Sequence, residues 1–283
     1  MRNKNLIQLY ITNMCNSHCK TCTIWQNKVP EELSVAQIWD IVRSDKTADF
    51  VIGGGEAILH SQIEAVLQML ADERVNYTLL SNAINLKRLT QLITRYEVPG
   101  VTVSCDGINH DKIRGAMGNL DNIRVFVRWA QTYHVPFKLS YTYSAYNEGT
   151  FAQDMEFFKF IGVDKIYFCL AQEMALLHSD GKSQIVAHNF EQILDYKDML
   201  FDKDVRFIEN MLSGKKPKCD SQSSVFTVYS NGDIVRCQSF MSAPPIGNIC
   251  TMSFADYLKG AENIVCPYDG ECNLLCQRRY DLI

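Results

Sequence analysis

Several things are missing from this chain of 283 residues. No run reaches the roughly 18 apolar residues that cross a bilayer, and the stretch from Leu6 to Ile11 is too short for a secretory core. The sequence therefore reads as that of a soluble, cytoplasmic protein with no membrane partner. Neither sign of charge dominates: 28 Lys and Arg stand against 32 Asp and Glu, a formal net charge of -4, which argues against nucleic acid as a partner. No internal repeat or low-complexity tract is visible. With 47% hydrophobic and 21% charged residues, the chain can bury a full-sized core, which excludes disorder and small disulfide scaffolds.

Cysteine, by contrast, is abundant, with eleven in the chain. The count is odd, and a reducing cytosol keeps thiols unpaired, so metal or cluster ligation explains them better than disulfides. Cys15, Cys19 and Cys22 crowd the amino end. Cys105 and Cys169 stand alone, and Cys219, Cys237, Cys250, Cys266, Cys272 and Cys276 gather in the last part of the chain.

Up to about residue 170, short apolar runs alternate with helical periods, the pattern of a parallel sheet with crossover helices. Strands are expected near Leu6 to Thr12, Phe50 to Gly53, Asn76 to Leu80, Val101 to Ser104, Pro136 to Tyr143 and Lys165 to Leu170. Between them, Ser34 suits the N-cap of a helix over Val35 to Val42. Apolar residues recur at helical spacing at Ile63, Val66, Leu67 and Leu70, and again at Leu86, Leu89 and Ile93. Helices over Asp121 to Tyr133 and Phe151 to Phe160 complete the set. Right-handed crossovers curl such a sheet into a partial (β/α)6 barrel whose ligands sit at the carboxyl ends of the strands. Residues 171–218 read as a polar bridge with a helix over Gln192 to Phe201. In the remainder, Val225 to Tyr229 and Asp233 to Cys237 flank Asn231-Gly232, which suits a type I′ hairpin, and a short helix follows near Ser253 to Lys259. The chain thus divides into 1–170, a bridge over 171–218, and 219–283.

Cys15-x3-Cys19-x2-Cys22 follows the first strand on a loop short enough for three thiolates to converge. A [4Fe–4S] cluster held by three cysteines keeps one iron without a protein ligand. Zinc held by the same cysteines with His18 is the alternative. Gly53-Gly54-Gly55-Glu56 follows the second strand, Ser81-Asn82 the third, and Ser104-Cys105-Asp106-Gly107 the fourth, with His110-Asp111-x-x-Arg114-Gly115 just beyond.

In this order the motifs resemble those of the radical S-adenosylmethionine (SAM) superfamily, over about Leu6 to Leu170. The resemblance implies a [4Fe–4S] cluster on Cys15, Cys19 and Cys22 with SAM at the open iron. It implies a place for the SAM amino group at Gly54, Gly55 and Glu56, and contributions from Ser81 and Asn82. Ser104 and Asp106 would serve the SAM ribose or carboxylate region, and Arg114 a carboxylate. Two departures stand out: Thr21 replaces a frequent aromatic, for which Ile24 or Trp25 could substitute, and Ala57 replaces a frequent proline. Where the family often has Thr-Asn-Gly, this chain has Ser81-Asn82-Ala83.

Cys219-x12-Gly232-x4-Cys237 with Cys266-x5-Cys272-x3-Cys276 resembles the SPASM and Twitch extensions of the superfamily, which carry auxiliary Fe–S clusters. One auxiliary cluster is implied, because Asn263 stands where the full pattern has a cysteine. Cys219, Cys237 and Cys276 would be ligands, and Cys266 or Cys272 would complete the set. Zinc is again the alternative, and Cys250 is left unplaced.

The resemblance implies an enzyme that reductively cleaves SAM to a 5′-deoxyadenosyl radical and abstracts hydrogen from a substrate C–H bond. An electron donor such as flavodoxin or ferredoxin would serve it. Because the barrel starts within about six residues of Met1, with no room for a preceding peptide-recognition domain, a small sugar or cyclitol is expected as the substrate to be oxidised or epimerised. A maturase of ribosomal peptides is the second reading, and a non-catalytic Fe–S or zinc protein the third. Cys169 ends the sixth strand, where packing is the first reading and a thiol pointing into the barrel to donate a hydrogen atom the second; Tyr141 and Tyr143 are read likewise, as packing before lining the same mouth, and Cys105 as a buried strand-end residue. His60 is expected to be exposed or to cap a helix.

Overall fold

A computed structural model describes residues 4–171, 186–215, 224–235 and 245–260. Six strands, β1 (Leu6–Tyr10), β2 (Asp49–Gly53), β3 (Asn76–Ser81), β4 (Val101–Ser104), β5 (Phe137–Tyr143) and β6 (Ile166–Leu170), pair in parallel and in chain order. On its other side β1 takes β7 (Val225–Val228) in parallel, and β8 (Asp233–Val235) and β9 (Gly247–Asn248) follow antiparallel. The sheet order is β6-β5-β4-β3-β2-β1-β7-β8-β9, a mostly parallel sheet that does not close.

Strand alternation gives this sheet two unlike faces. Ile7, Leu9, Phe50, Ile52, Leu79, Val101, Val103, Leu139 and Phe168 join the main core under the helices. Residues of opposite parity, Leu6, Val51, Tyr167, Val225 and Val235, form a second buried cluster. Tyr167 on β6 and Val225 on β7 belong to strands far apart in the sheet order, so the sheet must curl for their side chains to meet. That curl is the partial barrel, and its inner face encloses a lumen.

The helices α1 (Val35–Ser44), α2 (Ile63–Glu73), α3 (Leu86–Arg95), α4 (His110–Arg114), α5 (Asn119–Thr132) and α6 (Phe151–Phe160) lie between successive strands. Ser34 caps α1 as expected, in a reciprocal capping box with Gln37. Each of α1, α2, α3, α5 and α6 presents an apolar stripe to the strands; Ile38, Ile41 and Val42 of α1 and Val66, Leu67 and Leu70 of α2 are buried.

Two local expectations need correction. Within the hairpin only Gly232 of the Asn-Gly pair has positive φ, at 89°, and its N–H donates to the Tyr229 carbonyl while Tyr229 N–H donates to Asp233 O. A type I′ turn needs both residues left-handed, so this is instead a longer loop with glycine at the left-handed position. The expected helix over Gln192 to Phe201 is a 3-10 segment over Glu191–Met199, followed by α7 (Asp202–Leu212), which the sequence reading missed. Neither is merely a polar bridge, since Ile193, Met199, Leu200, Phe207 and Ile208 all join the main core. Helix α8 (Phe254–Gly260) forms as expected, and Phe254 and Tyr257 pack on Phe226. Among the described residues, no helix is long and apolar enough to cross a membrane.

Candidate active site

The loop after β1 carries Cys15, Cys19 and Cys22, and the glycine turn after β2 places it. Gly55 N–H donates to Thr12 O and Glu56 N–H to Met14 O, both at 2.8 Å. A Cβ on Gly54 would lie 2.3 Å from Thr12 O, and one on Gly55 2.3 Å from Met14 O. These glycines therefore admit the backbone that leads into Cys15, and their close approach is to this loop. On the far side the loop rests on α4: His18 N–H and the Ser17 hydroxyl both donate to Arg114 O, and Lys20 N–H donates to Ile113 O. Trp25 closes it from above, its indole N–H shared between the carbonyls of Cys22 at 2.8 Å and Cys19 at 3.2 Å. The ring of His18 packs edge-on against Trp25, at 5.0 Å between centroids.

Burial pushes the Cys15 thiol up to about 11, with the neighbouring Cys19, Glu56 and Cys22 adding negative charge, and burial likewise raises Cys22. With burial raising both Cys15 and Cys22, a strongly positive centre is needed for these two to become thiolates together. The donor set fits an iron–sulfur cluster in kind and number. Among the described residues no group of three or more His, Cys, Asp or Glu side chains is arranged to hold a single metal ion.

Glu56 is 2% exposed, and burial lifts its carboxyl to about 7. Its two oxygens accept from Ser81 Oγ at 2.8 Å and from Asn82 N–H at 2.7 Å. Three residues that the sequence had placed at separate strand ends thus meet. Asn82 Nδ2 continues to Asn16 Oδ1 at 2.8 Å, inside the cysteine loop. Ala83, where the family often has glycine, is held at φ 58°.

Asp106 is fully buried and receives a two-pronged ion pair from Arg114: Nε to Oδ2 at 2.5 Å and Nη2 to Oδ1 at 3.0 Å. Burial opposes the guanidinium charge, but Asp106 and Cys19 outweigh it and hold the Arg114 pKa above its ordinary value. The Arg114 fork, expected to meet a ligand carboxylate, meets Asp106 here. His110 joins the two halves of this layer. Its Nδ1 accepts from Asp106 N–H, and its Nε2 lies 3.0 Å from the side-chain amide of Asn119, whose Nδ2 donates to Asn82 O. Burial lowers the His110 pKa to about 4, so the ring is neutral. Asn119 was not singled out in the sequence, because nothing in its local pattern marks it.

Below this layer the lumen holds a cavity of about 160 Å³, lined by Gln8, Leu9, Tyr10, Val51, Gly53, Leu80, Thr102, Ser104, Ser140, Tyr167 and Cys169. Ser104 faces it, apart from Asp106. Thr102 is 3% exposed, and its hydroxyl has no hydrogen-bond partner. Cys169, for which packing was the first expectation, lines the lumen, with Sγ 3.8 Å from Ser140 Oγ. Cys105, Tyr141 and Tyr143 instead belong to the helix-side core, Tyr141 donating to Asp154 Oδ2 at 2.8 Å. His60 is buried, not exposed: Nε2 lies 2.8 Å from Leu33 O and Nδ1 accepts from Gln62 N–H at the start of α2. The sequence analysis did not single out the polar lumen residues; the signal that could have marked them is the alternation of polar and apolar along β4 and β5.

Cys219, Cys237, Cys266, Cys272 and Cys276 lie outside the described residues. Cys250 is exposed beside the hairpin, its Sγ 3.4 Å from Gln37 Nε2.

The sequence profile of the Radical SAM superfamily matches residues 9–158, more than half of the chain. The chain belongs to the radical SAM superfamily. No curated protein matches it. Among solved structures, SuiB of Streptococcus suis bound to S-adenosylmethionine superposes with a TM-score of 0.71 at 13% identity, covering 95% of this chain and 72% of SuiB. Native anSMEcpe with bound AdoMet gives 0.68 at 14% identity, covering 98% of this chain and 91% of anSMEcpe. Further structures of the two hold the precursor peptide SuiA and the Cp18Cys peptide. At these identities the likeness is one of fold, the partial barrel described above.

Proposed function

We propose that this radical SAM enzyme removes a hydrogen atom from an uncharged, hydroxyl-bearing ring held in the barrel lumen, and so oxidises or epimerises a small sugar- or cyclitol-like molecule. The lining of the cavity carries the reading. Gln8, Thr102, Ser104 and Ser140 offer neutral donors and acceptors, no described lining residue is charged, and the buried Thr102 hydroxyl lacks a partner. A volume of about 160 Å³ is close to the ~150 Å³ of an engineered cavity that admits benzene, hence room for one six-membered ring.

In this reading Cys15, Cys19 and Cys22 hold the [4Fe–4S] cluster. When bound, the cluster and SAM supply one-electron cleavage to a 5′-deoxyadenosyl radical. Glu56, oriented by Ser81 and Asn82, faces the SAM ammonium, whose charge would keep the buried carboxyl ionised. Gly54 and Gly55 fix the loop beside it. A flavodoxin- or ferredoxin-type protein supplies the electron. Residues 219–283 form a SPASM- or Twitch-like unit after a core over 1–170 and a bridge over 171–218, with one auxiliary cluster on Cys219, Cys237, Cys276 and Cys266 or Cys272. Cys169 is positioned in the lumen to return a hydrogen atom if the product is an epimer.

A second reading, modification of a peptide side chain, draws support from exposed apolar residues on the loops around the lumen mouth: Val29, Ile108, Met117 and Tyr146. One anaerobic experiment decides. Iron and sulfide are assayed, then dithionite and SAM are added with deuterated cyclitols or with peptides encoded beside the gene. Deuterium reaching 5′-deoxyadenosine from a cyclitol supports the first reading; deuterium only from a peptide replaces it. Zinc in place of iron, or SAM left intact by a fully loaded cluster, would overturn both.

A further inference from the structure

We propose that Arg114, anchored by Asp106, is a positioning residue that acts on the cluster through Cys19 and sets its reduction potential. The inference rests on the reading of Cys15, Cys19 and Cys22 as cluster ligands. Two of the guanidinium's three nitrogens, Nε and Nη2, bind Asp106, and the remaining one, Nη1, lies 3.9 Å from Cys19 Sγ. Asp106 is in turn fixed by Thr142 N–H at 3.0 Å, and it has no exposed surface. A fork held on both prongs cannot swing, so the third nitrogen is aimed by the ion pair rather than by chance.

Ser17 makes Cys19 unlike the other two thiols. Its Oγ lies 3.2 Å from Cys19 Sγ and 2.8 Å from Arg114 O. A hydroxyl has one hydrogen, and with the thiol protonated, S–H donates to Ser17 while Ser17 donates to Arg114 O. Once Cys19 is a cluster thiolate, the Ser17 hydrogen can turn to the sulfur, because His18 N–H still satisfies Arg114 O at 3.0 Å. Cys19 would then receive a charged and a neutral donor together. Donors to a ligand sulfur stabilise the more negative, reduced cluster and raise its potential.

The test uses the full chain, reconstituted anaerobically with iron and sulfide, and an EPR-monitored redox titration of the signal that a Cys19→Ser variant lacks. Arg114→Gln is expected to lower the reduced-to-oxidised ratio about tenfold at a fixed potential, or ~59 mV for one electron. Arg114→Lys, with charge but no fork, should fall between, and Ser17→Ala should shift the midpoint in the same direction by less. If Arg114→Gln fails to hold iron, Arg114→Lys and Ser17→Ala carry the test. An unchanged midpoint in the iron-loaded variants, with weakened SAM binding instead, overturns this inference alone and returns Arg114 to a carboxylate of SAM. A wild-type chain that takes up no cluster overturns the underlying reading.

Discussion

The two faces of the barrel sheet are built from the same strands and obey opposite rules. Helix-side residues such as Ile7, Val103, Leu139 and Phe168 are fully buried and apolar. Lumen residues one position away, Gln8, Ser104, Ser140 and Cys169, surround a cavity instead of filling it. A close-packed face contributes stability in proportion to the surface it removes from water. The lumen face, where apolar residues such as Val51 and Tyr167 stand among the polar ones around an unfilled cavity, contributes less, and its hydroxyls are better satisfied by a ligand than by the protein.

The largest expected effect lies at the mouth that joins these faces. Replacing Cys15, Cys19 or Cys22 by Ala should abolish SAM cleavage and remove the cluster's share of bound iron, read by 5′-deoxyadenosine formation and iron assay, while leaving the barrel folded by circular dichroism. Next comes the helix side: Leu139→Ala or Phe168→Ala should destabilise the cluster-free protein by about 2–5 kcal/mol in urea unfolding. If the lumen substitution Ser140→Ala proves as costly, the contrast between the faces fails; it should cost under about 1 kcal/mol and chiefly raise KM.

A third effect is pH-dependent. Burial raises Asp154, which accepts from Tyr141 and Ile108, to about 6 from 3.8. A carboxyl whose folded pKa lies above its unfolded value carries no penalty below about 3.8, and the full penalty once pH exceeds about 6. Between those limits wild-type stability should fall relative to Asp154→Asn, by roughly 3 kcal/mol at 1.36 kcal/mol per unit. Equal pH slopes for the two proteins would show that Asp154 is not the titrating group. The smallest change is Thr102→Val in the lumen. Removing a buried hydroxyl without a partner should raise stability by about 1 kcal/mol while weakening substrate binding. A loss of stability there would mean that the hydroxyl is already satisfied.

Much of this was legible in the chain itself. Apolar runs separated by helical periods gave the six parallel strands and their order, Ser34 marked the start of α1, and the spacing of Cys15, Cys19 and Cys22 marked the reactive loop. These are local signals, carried by period and by residue type.

Which side faces the lumen was decided only by the curl of the sheet, which brings Tyr167 of β6 against Val225 of β7. The tertiary structure likewise turned the glycines after β2 toward the cysteine loop, closed Arg114 on Asp106, and linked Asn119 through His110 to both halves of the site. A hydrogen bond between strand ends depends on where those ends meet in space, and spacing along a chain does not contain that distance. The sequence by itself determined the six strands, most of the helices between them and the position of the three-cysteine loop. Packing decided which polar groups satisfy one another and which are left to hold a ligand.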